Sequence, residues 1–508
     1  MEINKPEIAG NYKNPVNSPV SQSINEQKKE QSSGVQPSSG ESIKLSHEAR
    51  KSIKGNKGKT THKEAPITQS GPAPALPMPK AKWTVLAYMA GDNDLESFVT
   101  NNLIDMEKVG SSKDVNIVAQ LDRGPDPTPA KGGEKDAARY YIMKDNDPKH
   151  INSPVMQKLG PADMGAPGTL KDFLSWGMKN YPAQNYLIIL NDHGGGFTGA
   201  LEDQTNNSFM SVPDMKKAIA GAEKDTGVDK EQVTVGFDAC LMAQGEVGYE
   251  LKDVAKTLLA SEEVIGGTGW PYTGILASGK TINGINKFVD TEKKLSNAGK
   301  NPVSIKEDNS KIIGNMNPQQ VSKFIIDECA KAKDSTVTMS AANLDKIGAF
   351  KDALNGFAKA LLKTDVPDSV IKNDFKASQH YTVGMEMPPY ADVRDAYDLA
   401  KHIVEDRQIN DANLKDAAKA LMASVEEVVF AEEHVGDGME GSHGISIYAP
   451  IKKGGLDGYH YDKLALAKDT NWEEALEKFT GKPTNAAAKP QSGFKPPRPK
   501  NGKDVKEA

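Results

Sequence analysis

Two apolar runs in this chain are each followed, at the same distance, by a residue that can take part in covalent catalysis. Tyr186 to Leu190 is followed by His193, and Val233 to Phe237 is followed by Cys240, each three residues after the last apolar position. Because the carboxyl ends of parallel strands meet at one edge of a sheet, neighbouring strands would bring these side chains together. The pairing predicts a cysteine nucleophile served by a histidine.

The surrounding residues suit the same chemistry. Gly194, Gly195 and Gly196 allow close approach of a substrate carbonyl, so the N–H of Gly194 and that of Cys240 would form an oxyanion hole. A helix predicted from Ala243 to Lys256 would lower the pKa of the thiol through its N-terminus. Taken alone, a cysteine at a strand end is more often a small core residue. The matching histidine favours the catalytic interpretation.

Other catalytic and metal-binding patterns are missing from the sequence. There is no G-x-S-x-G to supply a serine nucleophile, and the glycine triplet after His193 lacks the G-x-G-x-x-G spacing of a dinucleotide site. The 2 cysteines make neither a disulfide framework nor a four-cysteine zinc site. Cys329 is interpreted as a helix core residue, and His434 and His443 lack a zinc spacing. The residues themselves predict no metal site.

Strand-like and helix-like segments alternate around the two reactive residues. Apolar runs bounded by Gly, Asn and Asp alternate with segments of helical period, which is typical of a mostly parallel sheet covered by helices. The sequence therefore predicts an α/β fold. Candidate strands are Trp83 to Ala90, Val115 to Leu121, Arg139 to Met143, Tyr186 to Leu190, Val233 to Phe237, Thr257 to Ala260, Thr336 to Ala341 and Gly444 to Tyr448.

Composition divides the chain into a globular body and two tails. Its 508 residues are 37% hydrophobic and 26% charged, and no apolar run is long enough to span a membrane. We predict a disordered basic Ser/Asn/Lys/Pro-rich region over 1–82, a folded domain over 83–480 and a disordered Pro/Lys-rich tail over 481–508. Surface loops are expected near 123–136 and 278–317. The first residues lack a general secretory signal, which predicts a cytoplasmic protein or export by a signal-less or specialised route.

Charge is unevenly distributed along the chain. The net charge of the protein is −6, and subtracting +6 for residues 1–82 and +5 for residues 481–508 leaves −17 for the body. An acidic body repels phosphate and attracts cations, which argues against a nucleic-acid enzyme. We therefore expect basic partners.

Five segments resemble, in order, the clostripain family of cysteine peptidases. They are WTVLAYMAGDNDLE from Trp83, YLIILNDHGGG ending at Gly196, VGFDACLMAQGEVGYEL around Cys240, SEEVIGGTGWPYTGIL from Ser261 and HGISIYAP from His443. The resemblance spans about residues 83–480 and implies a caspase- and gingipain-like α/β/α sandwich. It also implies that His193 and Cys240 are the catalytic pair and that Asp238 binds a substrate Arg or Lys in the S1 pocket. Calcium is implied as a possible ligand by the resemblance alone.

Two acidic features have a second interpretation. Asp238 precedes a predicted helix, where it would act as an N-cap instead of lining the S1 pocket. Asp92, Asn93 and Asp94 carry oxygen atoms that suit a cation. We expect these three residues to cap the helix after the first strand, since calcium usually needs six or more oxygens.

The chain departs from the family pattern near the glycine triplet. Phe197 follows the triplet where relatives commonly have Trp, and no Lys or Arg lies between Lys179 and Lys216, where relatives are processed. We therefore expect activity without a cut between His193 and Cys240. The loop from Gly266 to Gly269 has no acidic residue, which leaves the choice between Arg and Lys open.

Together these observations predict a cysteine endopeptidase that cleaves after Arg or Lys through a thioester, without a required cofactor. Its expected partners are proteins or peptides with basic residues and not nucleic acid, and we expect no membrane span. A catalytically silent scaffold is one alternative, and the intact residues His193, Cys240 and Asp238 count against it. A transpeptidase would use the same acyl-enzyme, so only the products separate it from a hydrolase.

Overall fold

The fold is that of a computed structural model, in which the structure describes residues 80–124, 127–128, 131–276, 313–331, 337–381 and 390–483. These residues belong to one compact unit, Ser70–Ala508. The tails predicted over 1–82 and 481–508 lie outside the described residues except for their innermost positions, and so does the predicted loop near 278–317 up to residue 312. The domain boundaries stay predictions.

The described part of the chain contains thirteen strands and twelve α-helices. The strands are β1 Ala81–Ala90, β2 Val115–Asp122, β3 Ala137–Tyr141, β4 Val155–Gly160, β5 Ala183–Asn191, β6 Ala200–Asp203, β7 Ser208–Met210, β8 Val233–Asp238, β9 Thr257–Ser261, β10 Val337–Asn343, β11 Val393–Asp395, β12 Val429–Val435 and β13 Ser446–Tyr448. The helices are α1 Glu96–Glu107, α2 Pro167–Asn180, α3 Val212–Thr226, α4 Gly245–Leu251, α5 Tyr272–Leu276, α6 Pro318–Ala330, α7 Ile347–Lys363, α8 Asp368–Ala377, α9 Ala396–Glu405, α10 Ala412–Val428, α11 Ala465–Asp469 and α12 Trp472–Thr480.

A nine-stranded sheet forms the centre of the fold. Its strand order is β12-β10-β9-β8-β5-β1-β2-β3-β4. The strands from β9 to β2 run parallel to one another, whereas β12, β10, β3 and β4 are antiparallel to their neighbours at the two edges. The predicted mostly parallel sheet is confirmed.

Both faces of the sheet are covered, as the side chains of β1 show. Leu86 and Tyr88 pack into one hydrophobic cluster, while Val85 and Ala87 pack into a second cluster on the other face. Successive side chains of a strand point to opposite faces, so a strand that is apolar at every position must lie between two layers. The architecture is therefore the predicted α/β/α sandwich. No helix in the described part of the chain is both long enough and apolar enough to cross a membrane.

Two predicted elements differ from the structure. The helix expected from Ala243 to Lys256 is α4, which runs only from Gly245 to Leu251. The residues just before it do not start a helix, because their N–H groups donate to the chain after β9: Leu241 to the carbonyl of Glu263, and Ala243 to that of Ser261. The candidate strand Gly444 to Tyr448 is β13, which pairs with β11 in a separate two-stranded sheet.

Candidate active site

The sheet register places the two reactive residues side by side. Strands β5 and β8 are parallel neighbours, and Asn191 at the end of β5 pairs with Asp238 at the end of β8. His193 and Cys240 each lie two residues farther along the chain. Both line one cleft, together with Asp238 and the loop around Gly266. The structure therefore brings together the predicted histidine, cysteine and acidic residue.

Cys240 lies in a tight turn between β8 and α4. The next residue, Leu241, has a φ of 66°, so the chain turns sharply just after the thiol. The Sγ atom accepts a hydrogen bond from the N–H of Ile265 at 3.4 Å. Burial raises the pKa of the Cys240 thiol to about 12, and the carboxylates of Glu263 and Asp238 act in the same direction.

This finding corrects the expectation of a thiol pKa lowered by a helix. Helix α4 begins at Gly245 and not directly after Cys240, and burial is the largest influence on the pKa of the thiol. Desolvation disfavours the charged form, and nearby negative charge adds to that effect. The resting thiol is therefore neutral.

His193 is almost completely buried and contacts a carboxylate that the sequence did not assign to it. Its Nε2 lies 2.9 Å from Oδ1 of Asp94 and 4.0 Å from Oε2 of Glu202. Its other nitrogen, Nδ1, is buried without a hydrogen-bond partner among the described residues. Burial opposes the charged ring, but the hydrogen bond to Asp94 and the charges of Asp192, Asp94 and Glu202 outweigh it and raise the pKa of His193.

The expectation that Asp92, Asn93 and Asp94 cap the first helix is wrong. Helix α1 begins at Glu96 after Leu95, and no side chain caps it. Asn93 accepts a hydrogen bond from the N–H of Leu95, whereas Asp94 pairs with His193. A signal for this role was present in the sequence, since Asp94 follows the first strand at the same sheet edge.

Gly194 packs against the peptide of Cys240. A Cβ atom at this position would lie 2.3 Å from the carbonyl oxygen of Cys240 and 2.8 Å from its nitrogen, so only glycine fits. Within the described part of the chain, neither the N–H of Gly194 nor that of Cys240 donates a hydrogen bond. The two amides predicted for the oxyanion hole are thus adjacent and have no acceptor of their own.

Asp238 lies at the end of β8 with its carboxylate enclosed by donors. Its Oδ2 accepts hydrogen bonds from Asn191 Nδ2 at 2.5 Å and from the hydroxyl of Tyr272 at 2.8 Å. The N–H of Trp270 donates to both oxygens at 3.1 Å. Burial raises the pKa of Asp238 to about 6, while these hydrogen bonds oppose the shift. Because the N-cap of α4 is Gln244, Asp238 is not a helix cap.

The glycine-rich loop that follows β9 closes against this carboxylate. Gly269 has a φ of 65°, and a Cβ atom there would lie 2.6 Å from Oδ2 of Asp238. The side chain of Asn102 on α1 donates to the carbonyl of Thr268 at 2.7 Å and so fixes the loop. Asn102, Asn191 and Tyr272 are site residues that the sequence patterns did not identify.

One group of side chains offers ligand atoms close enough together to hold a metal ion, so its donor atoms can be compared with those that calcium requires. Among the described residues, ligand atoms of Asp94, His193 and Glu202 lie within 4.8 Å of one another. Calcium takes six to eight oxygen ligands, whereas this group offers two carboxylates and an imidazole nitrogen. The donor set of this group does not fit calcium.

The chain is similar to known proteins over most of its length. The Clostripain family model matches residues 87–479. Clostripain from Hathewaya histolytica is 26% identical over 411 residues, which cover 73% of this chain and 74% of that protein.

Solved structures agree on the fold. An inactive zymogen C11 protease from Parabacteroides distasonis has a TM-score of 0.52 at 18% identity, and the match covers 78% of this chain and 99% of that one. A secreted C11 cysteine protease from Bacteroides thetaiotaomicron has a TM-score of 0.51 at 16% identity, with the same coverage of both chains. The match over most of its length shows that this chain is a cysteine peptidase of the clostripain family.

Proposed function

We propose that this peptidase cleaves proteins or peptides after Lys or Arg, with Cys240 as nucleophile and His193 as general base and acid. The observation that carries the proposal is the buried carboxylate of Asp238, which lines the same cleft as both reactive residues. A carboxylate of this kind recognises the ammonium or guanidinium group of a basic P1 side chain. The acidic body of the protein, with a charge of −17 from residue 83 to 480, would attract such substrates.

The proposed mechanism begins from a neutral thiol. Because the pKa of Cys240 is about 12, the proton must leave as the sulfur attacks the scissile carbonyl, and His193 takes it. The N–H groups of Gly194 and Cys240 hold the oxyanion. His193 then protonates the leaving amine, which leaves a thioester on Cys240. Water activated by His193 hydrolyses the thioester and restores the thiol.

Fluorogenic peptides that differ only at P1 test the proposal. We expect wild-type protein to cleave peptides with Lys and Arg at P1 and to spare those with norleucine and citrulline, their uncharged counterparts. Cys240→Ala should be inactive, whereas Cys329→Ala should retain activity because Cys329 lies on α6, outside the residues that line the cleft. Equal cleavage of the charged and uncharged peptides would contradict the role of Asp238.

The products separate hydrolysis from ligation. In the presence of an added amine nucleophile, a hydrolase releases mainly the free acid and a transpeptidase releases mainly the amide. We expect the free acid. A wild-type protein that cleaves no basic peptide and matches Cys240→Ala would instead favour the scaffold alternative.

A further inference from the structure

We propose that Asp94 is the positioning residue of His193, holding the ring in the Nε2–H tautomer so that Nδ1 exchanges the proton with Cys240. The inference rests on the proposed function and adds a third residue to it. It concerns how the ring of His193 is oriented and which nitrogen carries the proton, whereas the proposed function concerns the catalytic roles of Cys240 and His193 and the P1 residue.

The hydrogen bond between the two residues sets the tautomer. Asp94 Oδ1 lies 2.9 Å from His193 Nε2, and an ionised carboxylate can only accept a hydrogen bond. Nε2 must therefore carry a proton whenever the contact is present. In the neutral ring the free lone pair then lies on Nδ1, which is buried and has no hydrogen-bond partner in the described part of the chain. Nδ1 is thus the nitrogen left to accept a proton.

Three adjacent strands deliver the three residues to one edge of the sheet. Strand β1 pairs with β5, where Met89 lies opposite Asn191, and β5 pairs with β8. Asp94 follows β1 in the chain, just as His193 follows β5 and Cys240 follows β8. The arrangement of carboxylate, imidazole and thiol therefore follows from strand order, and it does not depend on a distant loop.

The backbone on either side of Asp94 is fixed by Asn93. The Nδ2 group of Asn93 donates to Oδ1 of Asp192 at 2.8 Å and to the carbonyl of Glu202 at 3.0 Å. Its Oδ1 accepts from the N–H of Leu95 at 2.9 Å. The side chain of Asp94 is 34% exposed, so this anchoring of its neighbour keeps the carboxylate in place against the ring.

Two other carboxylates face the imidazole, but neither can orient it. Asp192 is engaged by Asn93 Nδ2 and by the N–H of Glu202, and burial raises its pKa to about 7. Glu202 Oε2 lies 4.0 Å from Nε2, beyond hydrogen-bond distance. Both contribute negative charge near the ring. Among the described residues, the directional contact to the ring nitrogen comes from Asp94.

The substitution Asp94→Asn separates positioning from binding. An asparagine can turn its NH₂ group toward Nε2 of His193. Nε2 accepts that hydrogen bond only when the ring proton lies on Nδ1, and a ring protonated on Nδ1 cannot take the proton of the Cys240 thiol. General-base catalysis is worth about 10²–10⁴-fold. We expect kcat on a P1-Lys peptide to fall at least about 100-fold with little change in KM, because Asp238 is untouched. Asp94→Glu should recover part of the activity.

The matched control is Asp105→Asn, which also replaces an aspartate by an asparagine. Asp105 lies on α1, pairs with Lys108 and does not line the cleft. This variant should retain wild-type kcat and KM. The acid limb of kcat should also move to lower pH in Asp94→Asn, since loss of this contact lowers the pKa of His193. If Asp94 only supported the fold, the acid limb of kcat would stay at the same pH in Asp94→Asn.

An independent readout uses no substrate. In Cys240→Ala protein labelled with ¹⁵N-histidine, the His193 signals are identified by their loss in Cys240→Ala/His193→Gln. We expect protonated Nε2 with Asp94 present and a shift toward protonated Nδ1 after the substitution Asp94→Asn. An Nδ1–H tautomer with Asp94 intact, or wild-type kcat in Asp94→Asn, would overturn the proposal. Wild-type protein that does not cleave basic peptides would instead overturn the proposed function.

Discussion

Asn191 and Asp238 occupy paired positions at the ends of β5 and β8, and Asn191 Nδ2 donates to Asp238 Oδ2 at 2.5 Å. The same amide also donates to Asn102 Oδ1 and to the hydroxyl of Tyr272. Because His193 and Cys240 follow these two residues at equal distances, one hydrogen bond links the strand that carries the base to the carboxylate of the proposed S1 pocket. The reactive pair and the pocket are therefore built on the same register.

Removing that hydrogen bond should weaken the recognition of basic substrates. In Asn191→Ala, a buried carboxylate loses a donor, which costs about 1–3 kcal/mol and raises the pKa of Asp238 further. We expect a lower melting temperature and a lower kcat/KM for P1-Lys peptides, mainly through KM. Asn185→Ala is the control, since Asn185 lies on the same strand and its side chain donates to the carbonyl of Lys82. Equal effects of both changes would contradict the coupling.

Binding of basic peptides should weaken as the pH falls through about 6. The pKa of Asp238 is raised from 3.8 to about 6, so its carboxyl group is charged above that pH and neutral below it. Calorimetric titration of a P1-Lys peptide into Cys240→Ala protein measures binding without cleavage. Affinity should drop below pH 6 in this protein and be weak at every pH in Cys240→Ala/Asp238→Asn. A pH-independent affinity in the protein with Asp238 intact would speak against its role.

A methyl group on Gly194 should disrupt the proposed oxyanion hole. In Gly194→Ala the new Cβ would press on the carbonyl of Cys240, and a backbone atom cannot move away as a flexible side chain can. Loss of one oxyanion donor costs about 10²–10³ in kcat. We expect a loss of at least about 100-fold in steady-state kcat. Gly168→Ala, where nothing lies within 4 Å of the added Cβ, should leave kcat unchanged.

The resting thiol should react slowly with alkylating agents at neutral pH. Only the thiolate is nucleophilic, and burial raises the pKa of Cys240 to about 12. In Cys329→Ala protein, the rate of iodoacetamide modification should rise about tenfold per pH unit from pH 7 to pH 9. A rate that levels off below pH 8 would show that a thiolate exists in the free enzyme.

Self-processing should spare the folded body. Lys216 and Lys217 lie within α3, and Arg123 is buried with its guanidinium bound to Glu96 and to the carbonyls of Thr128 and Gly132. Arg123 is therefore not accessible for cleavage in the folded protein.

We expect cuts around Arg50, in the Lys51 to Lys63 cluster and within the C-terminal tail over 481–508, which lie outside the described residues apart from residues 481–483. Intact-mass analysis of wild type beside Cys240→Ala would locate them. If activity required a new N-terminus between Phe197 and Lys230, the prediction that no internal cut is needed would be wrong.

The sequence by itself determined the elements that carry the reactive residues. An apolar run such as Tyr186 to Leu190, followed directly by polar and glycine residues, predicts a buried strand, and the end of that strand predicts the position of His193. Apolar residues that recur at steps of three and four predict a helix with one buried face, and the residues of one such series are all buried on α7: Ile347, Phe350, Leu354, Phe357 and Leu361. These features are local, because hydrophobic period and turn residues lie within a single segment of chain.

Only the tertiary structure decided which residues meet and in what electrostatic state. That Asp94 contacts His193 depends on β1 lying beside β5, although 99 residues separate the two side chains in sequence. The thiol pKa of Cys240 depends on burial and on carboxylates from other segments, and the pKa of Asp238 likewise depends on burial and on donors from other segments. Desolvation and Coulomb interactions act through space, so a pattern read along one segment cannot contain them.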